Sequence, residues 1–410
     1  MNFEYFVVKR LISAKKYKSS ISAPIIKIAI TAIAIGVIMM LVSFATGLGL
    51  QEKIRDKISA FNGHINISSY DNNSSKVSLI PVSKNQDFYP DFETVDGIEH
   101  VQAVATKFAV IRTETDFEGI IVKGVGPEYR WEYLEEYLVK GELPDYSGKL
   151  NDEVLISDYL ANRLNLEVGD RMNTFFLRED SERPVQRGFL ITGIYDSGFQ
   201  EFDELYIIAD LRHIQRINRW EDDQVGNFEV FISNFEELDR KGNEVYENTG
   251  SFLDTQTIRQ KYYSIFEWLS LFDFNIALIL GIMILVAGIN MITALLVLIL
   301  ERTQMIGILK ALGANDWSIR KVFLYNAAYL ILLGLFWGNL LGIGLLAVQK
   351  YFKLIPLDPR TYYVNEVPIY LNWDYILFVN VGTLILCMLM LLIPSVIISR
   401  ISPVKAIKFD

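Results

Sequence analysis

Four stretches of the chain carry no charged residue over more than the thickness of a bilayer. They are residues 28–50, 274–300, 322–349 and 375–399, or 23, 27, 28 and 25 positions. A membrane helix needs about 20 predominantly apolar residues at about 1.5 Å each, so all four are long enough to span. Core helices of a soluble protein would be shorter and interrupted by charge. The pattern therefore predicts a multi-pass α-helical membrane protein with four transmembrane helices.

Ahead of the first span, Phe3, Phe6, Val7, Leu11 and Ala14 recur at helical spacing, with Lys9, Arg10, Lys15 and Lys16 elsewhere on the wheel. This predicts an amphipathic helix at the membrane interface, the alternative being a solvated basic tail. The first span continues as a helical stalk to the turn signal Asn62-Gly63. Residues 51–270 then read as an α+β domain. Its predicted strands lie over 64–69, 101–112, 119–125, 153–156, 171–177, 188–195, 205–209 and 226–232. Its predicted helices lie over 91–96, 129–139, 159–164, 210–217 and 235–246. Residues 178–187 read as a charged loop containing Pro184, and 257–271 as a second stalk.

Charge settles the expected orientation. Residues 51–270 hold 23 Lys and Arg against 41 Asp and Glu, although the whole chain is only −10. Such acidity argues against nucleic acid and against adhesion to anionic lipid. The short flanks are basic: Lys9, Arg10, Lys15, Lys16, Lys18 and Lys27 near the start, Arg302, Lys310, Arg320 and Lys321 after the second span, and Arg400, Lys405 and Lys408 in the tail. The positive-inside bias puts these segments in the cytoplasm and the acidic domain outside. The expected organisation is a cytoplasmic helix 1–27, span 28–50, outer domain 51–270, span 274–300, cytoplasmic helix 301–321, span 322–349, short outer loop 350–374, span 375–399 and tail 400–410. The first apolar run is too long for a secretory signal. Cys387, the single cysteine, lies in the fourth span, so neither a disulfide in the outer domain nor a lipid anchor near the N-terminus is expected.

Candidate chemistry is sparse. The chain has no G-x-x-x-x-G-K-[ST] loop to cradle nucleotide phosphates and no G-x-S-x-G. His64, His100 and His213 lack metal-ligand spacing, and pairs such as Glu135-Glu136 and Asp222-Asp223 read as solvated. No catalytic residue, metal or cofactor is expected. In the third span, Gly334, Gly338 and Gly342 recur every fourth residue, the spacing that lets helix backbones approach in lipid. Just past the second span, residues 301–314 form a short amphipathic segment ending at Gly313, a natural helix stop. Such a helix on the cytoplasmic face is what a soluble motor would grip.

The segment E-R-T-x-x-I-G-I-L-K-A-L-G-A from Glu301 to Ala314 resembles the signature of the FtsX/MacB superfamily of ABC-transporter permeases. Further segments are similar to the lipoprotein-releasing LolC/LolE type: Phe6-Val-Val-Lys-Arg-Leu11, Ile35-Gly-Val37, residues 154–170 with Val168-Gly-Asp170, Gly193-Ile-Tyr-Asp-Ser-Gly198 with Glu201 and Asp203, Leu357-Asp-Pro359 with Tyr362-Tyr-Val364, and Ser402-Pro-Val-Lys-Ala406. Gln304-Met305 departs from the charged pair usual in the family.

The resemblance spans essentially the whole chain and implies a MacB-like periplasmic core with an inserted lobe near 130–187. It implies an inner-membrane permease that works with a separate LolD-like ATPase (which binds the ATP and Mg), a second permease copy or paralogue, and a LolA-like carrier that receives lipidated proteins. Glu301, Arg302, Ile306, Gly307, Leu309, Lys310 and Gly313 would couple to the ATPase, with Arg302 and Lys310 supplying ion pairs. Val37, Met40 and Phe44 are candidates for the substrate path, and Arg178, Glu179, Pro184 and Arg187 for carrier contact. The competing expectations are a permease that exports a peptide or toxin, one that regulates a periplasmic hydrolase, and a passive scaffold.

Overall fold

The computed structural model describes residues 3–13, 22–72, 75–178 and 181–401. The chain begins with α1 (Phe3–Ser13) and α2 (Ser22–Asn62). Twelve strands follow: β1 (Ile65–Ser69), β2 (Val82–Ser83), β3 (Ile98–Arg112), β4 (Phe117–Val125), β5 (Leu138–Gly141), β6 (Glu153–Ser157), β7 (Arg171–Arg178), β8 (Ser181–Tyr195), β9 (Tyr206–Asp210), β10 (Gln224–Val225), β11 (Asn227–Ile232) and β12 (Leu253–Thr257). Among them lie α3 (Glu132–Glu135), α4 (Asp158–Leu164), α5 (Gln200–Leu205), α6 (Leu211–Asn218), α7 (Leu238–Glu247) and α8 (Ile258–Lys261). The chain closes with α9 (Tyr263–Glu301), α10 (Thr303–Ala311), α11 (Asp316–Phe352), α12 (Pro359–Tyr362), α13 (Trp373–Ser395) and α14 (Ile397–Arg400). One compact unit comprises Glu52–Glu267 with Leu357–Asn365, and the other holds the remaining described residues.

In the second unit, α2, α9, α11 and the α13–α14 stretch are each long and apolar enough to cross a membrane. Their backbone polar groups bond within each helix, the requirement that makes helices fit to span lipid. Ile33, Val37, Met40, Met291, Leu295, Phe323, Ala327, Cys387 and Leu391 form a shared buried core. The glycine stripe of α11 faces α2. A Cβ on Gly334 would lie 2.7 Å from Ile33 Cβ, and one on Gly342 would lie 3.2 Å from Leu41 Cδ1. Gln51 Nε2 fastens α2 to α9 by donating to the Leu269 carbonyl at 3.0 Å and to Asp273 Oδ1 at 2.9 Å. Between α11 and α13, Asn339 and Asn380 exchange amide hydrogen bonds of 2.6 and 2.9 Å, which satisfies both within an apolar setting. α13 ends at Ser395, one residue past Pro394.

The first unit is built on a ten-stranded mixed sheet in the order β12-β1-β11-β3-β4-β9-β6-β8-β5, with β7 pairing β3 and β8. Register sorts its residues. Ile65 and Ile67 lie opposite Val230 and Phe228, and these face Val101 and Ala103, giving one apolar face. The intervening positions make a polar row, Gln256, Asn66, Glu229 and Gln102 on four neighbouring strands. Lys123 spans that face. Its ammonium donates to Glu229 Oε1 at 2.7 Å and to the Phe61 carbonyl at 2.6 Å. A buried pair of this kind is tolerated because every ammonium proton and both carboxylate oxygens are engaged; Gln102 Nε2 completes it at 2.9 Å. The end of α2 is thereby tied to the sheet, and Gly63, at φ +66, turns the chain into β1.

Three expectations for this unit are corrected. Residues 91–96 form turns, with the Glu93 amide bonded to the Asp91 carbonyl, and are too short to propagate a helix. The helix expected over 129–139 is only α3, because Leu138 leaves it to pair with Tyr195 as β5. The loop expected over 178–187 is corrected among the described residues: Arg178 ends β7 and residues 181–187 belong to β8, which pairs β7 with Phe176 opposite Val185 and Thr174 opposite Arg187. Pro184 fits there because that part of β8 pairs on one side only. The segment expected as an inserted lobe, near 130–187, contributes β5, β6, β7 and the start of β8 to the same sheet.

Candidate functional site

The break between α9 and α10 falls at Arg302, whose φ of −102° and ψ of 16° leave the helical region. Thr303 Oγ1 donates back to the carbonyls of Leu300 and Ile299 at 2.7 and 3.1 Å, closing the end of α9. At the far end, the Gly313 amide bonds to the Lys310 carbonyl and the Ala314 amide to the Leu309 carbonyl, both at 3.0 Å. Gly313 has φ +90, a conformation that a side chain would strain. α10 is thus a helix of fixed length with a defined stop.

Its faces differ. Ile306 and Gly307 are buried, and Met305 and Leu309 pack on the core shared by the spans. Lys310 is turned inward as well. Its ammonium donates to the carbonyls of Ile398, Ile401 and Ser399 at 2.8, 3.1 and 3.3 Å and pairs with Asp316 at 2.9 Å. It caps the end of α14, where unpaired carbonyls and the helix dipole favour a cation. Arg320 Nη2 adds a bond to Ser399 Oγ at 2.8 Å. Outward lie Glu301, Gln304, Ile308, Ala311 and Leu312, on one helical stripe, followed by Trp317 at the start of α11. Leu312 is 80% exposed and Trp317 50%.

This rearranges the residues picked out in the sequence. The expectation that Lys310 offers an ion pair outward is corrected, since its partners lie within the chain. Arg302 is mostly covered, with Glu301 at 3.9 Å. Ile306, Gly307 and Leu309 support the helix from behind, and Gly313 ends it. The outward apolar positions Ile308, Leu312 and Trp317 are the ones the sequence reading left out as anchors. Ile308 and Leu312, four apart, share an apolar stripe with Met305 and Leu309, and periodicity alone does not say which edge of that stripe faces out.

The other candidates are dispersed. Val37 and Met40, expected on a substrate path, are fully buried among the spans; Val37 sits against Gly338. Large apolar residues exposed on α2 include Ile28, Ile35 and Met39. Phe44 is half-buried and stacks on Tyr375 at 5.5 Å. Arg178 closes β7, Pro184 and Arg187 lie in β8, and Glu179 lies outside the described residues. Among the described residues, no group of three or more His, Cys, Asp and Glu is arranged to hold a metal.

Four apolar helices with a large α+β domain inserted after the first, and a stopped amphipathic helix between the second and third, define a permease-type membrane protein. A family model described as the MacB-like periplasmic core domain matches residues 28–236, half of the chain, and one described as the FtsX-like permease C-terminal matches residues 277–403. The chain belongs to the FtsX/MacB family of permeases. Among curated proteins, it is 20% identical to the lipoprotein-releasing system transmembrane protein LolC of Xylella fastidiosa (strain Temecula1 / ATCC 700964) over 98% of this chain and 97% of that one. It is 22% identical to LolC of Neisseria meningitidis serogroup B over the whole of both chains. LolE of Haemophilus influenzae is 21% identical over 99% of each.

Proposed function

We propose that this chain is the membrane subunit of an ABC transporter that releases lipidated proteins from the outer leaflet of the inner membrane to a periplasmic carrier. In this reading both termini and α10 are cytoplasmic, a separate ATPase binds ATP and Mg, and a second copy or paralogue completes the membrane part. The observation that carries the ATPase assignment is the exposed stripe of Ile308 and Leu312, followed by Trp317, on a helix whose opposite face is anchored. Exposed apolar residues on a rigid helix suit docking into a groove. The basic flanks support the orientation, and full-length similarity to LolC and LolE supports the cargo.

The energetics fit the reading. Withdrawing an acyl chain costs about 0.8 kcal/mol per CH₂, so a sixteen-carbon chain costs on the order of 12 kcal/mol. A multiply acylated protein therefore leaves the bilayer only with an energy source, and no phosphate loop is present in this sequence to supply one.

The test is co-expression with a LolD-like ATPase, followed by release of a lipidated protein from reconstituted vesicles to added carrier. Ile308→Asp with Leu312→Asp should lose the ATPase and the release together while the membrane part stays folded. Release that persists in that double variant would overturn the docking assignment, and ATP-independent release by the parent would overturn the transport reading.

A further inference from the structure

The motif Asp196-Ser-Gly198 with Asp203 and the loop segment Leu357–Asn365 lie far apart in sequence and meet in the first compact unit. Asp203 fixes the turn: its Oδ1 accepts from the Ser197 amide at 3.0 Å and the Ser197 hydroxyl at 2.6 Å, while Asp196 Oδ1 accepts from the Gly198 amide at 2.9 Å. Gly198 takes φ +61, and a Cβ there would lie 3.1 Å from Lys57 Nζ and 3.2 Å from Asn365 Oδ1. Phe199 stacks on Tyr363 with ring centres 4.9 Å apart. Lys57, a buried residue of α2, donates its ammonium to the Tyr363 carbonyl at 2.7 Å.

The loop segment is itself shaped for this. Asp358 caps α12, the Leu357 amide closes on the Asn365 carbonyl at 2.9 Å, and Tyr363 takes φ +60 to present its carbonyl. Burial lowers the Lys57 ammonium to about 8, and Asp203 and Asp196 hold it up against that loss, so it is charged at neutral pH. A charged donor to a carbonyl in a covered site is among the stronger hydrogen bonds.

We propose that Lys57 and the 196–203 turn form a clasp that holds Leu357–Asn365 as a fixed part of the extramembrane unit, so that displacement of this unit is passed to α11 and α13 through the loop that joins them. α2 and α9 are the other covalent routes, and the clasp gives the third and fourth spans their own. Its role in transport rests on the function proposed above, but the holding of the loop does not.

The test uses the full chain in detergent, read by amide hydrogen exchange. Lys57→Met keeps the length of the side chain and removes its donor and charge. Exchange over 357–365 should rise at least tenfold, with β1 and β11 unchanged, and Tyr363→Ala should do the same from the other side. Unchanged exchange in both variants overturns the clasp. In the assembled transporter, Lys57→Met should keep ATPase binding and ATP turnover but lower cargo released per ATP at least fivefold. An unchanged ratio with the loop freed overturns the transmission role. Failure of the parent complex to release cargo would instead count against the proposed function, leaving the exchange result to decide the clasp.

Discussion

A Cβ atom placed on Gly338 would lie 2.7 Å from the Cβ of Val37 and 3.0 Å from the Ala34 carbonyl oxygen. Both obstacles are held by the backbone of α2, so neither can swing aside. Gly338→Ala should therefore push α2 and α11 apart, costing about 1–3 kcal/mol. Gly342→Ala is crowded by the flexible end of Leu41 at 3.2 Å and meets Ile38 at ordinary contact distance, and should cost well under about 1 kcal/mol. Denaturant titration of the purified chain compares the two; equal losses would remove the close approach as the cause.

Lys310 and Leu312 should fail in different ways. Lys310→Met strips three carbonyls and Asp316 of their cation, which should cost about 2–3 kcal/mol and loosen α14. Leu312→Asp alters an exposed position and should leave stability within about 0.5 kcal/mol while weakening ATPase capture. Thermal unfolding and co-purification, measured on both, separate support from contact. A Lys310→Met chain of full stability that loses the ATPase would reverse the two roles.

Photo-crosslinkers should report lipid exposure along α2 in a helical rhythm. Ile35 and Met39 are exposed and should capture lipid or cargo, whereas Val37 and Met40 should capture only other spans. Efficient cargo capture from Val37 would show that the buried face opens.

The extramembrane unit should loosen locally in acid. The Ile232 amide donates to Nδ1 of His64 at 3.0 Å, and burial lowers this imidazole to about 4. Because the unfolded chain takes up this proton near pH 6.5 and the folded one does not, stability present above that value is lost as pH falls toward 4. After allowing for partial exposure, the loss is about 2 kcal/mol. Asp203 works the other way: burial raises its carboxyl to about 6, so its contribution declines as pH rises through that value. Hydrogen exchange at 228–234 isolates the histidine from the carboxyl. Protection there, relative to the intrinsic exchange rate, that does not change between pH 7 and 4.5 would exclude His64 as the cause.

Spans were legible because lipid leaves a helix no outside partner for its backbone, so composition alone betrays them. The α+β character of residues 64–257 followed from alternation such as Ile65 and Ile67. The hairpin of β7 and β8 was not legible, because charge and Pro184 look like a loop until β7 supplies partners for one edge. At the site, Gly313 and the limits of α10 could be read locally. The inward turn of Lys310 could not, since its acceptors stand 88 to 91 residues away. The burial of Val37 was hidden for a related reason: on a helix apolar all round, periodicity does not say which side meets Gly338.

The sheet places β1 beside β12, with Ile65 directly opposite Thr257. The segment that separates the first and second spans therefore begins and ends on adjacent strands, with backbones about 5 Å apart. An insertion with neighbouring ends behaves as a cassette. It can be lifted out and its gap bridged by a short linker, or exchanged for another domain of like geometry, without stretching the helices on either side. Recombination at these two strands would give one set of membrane helices a different outer head, provided that the newcomer also seats Leu357–Asn365.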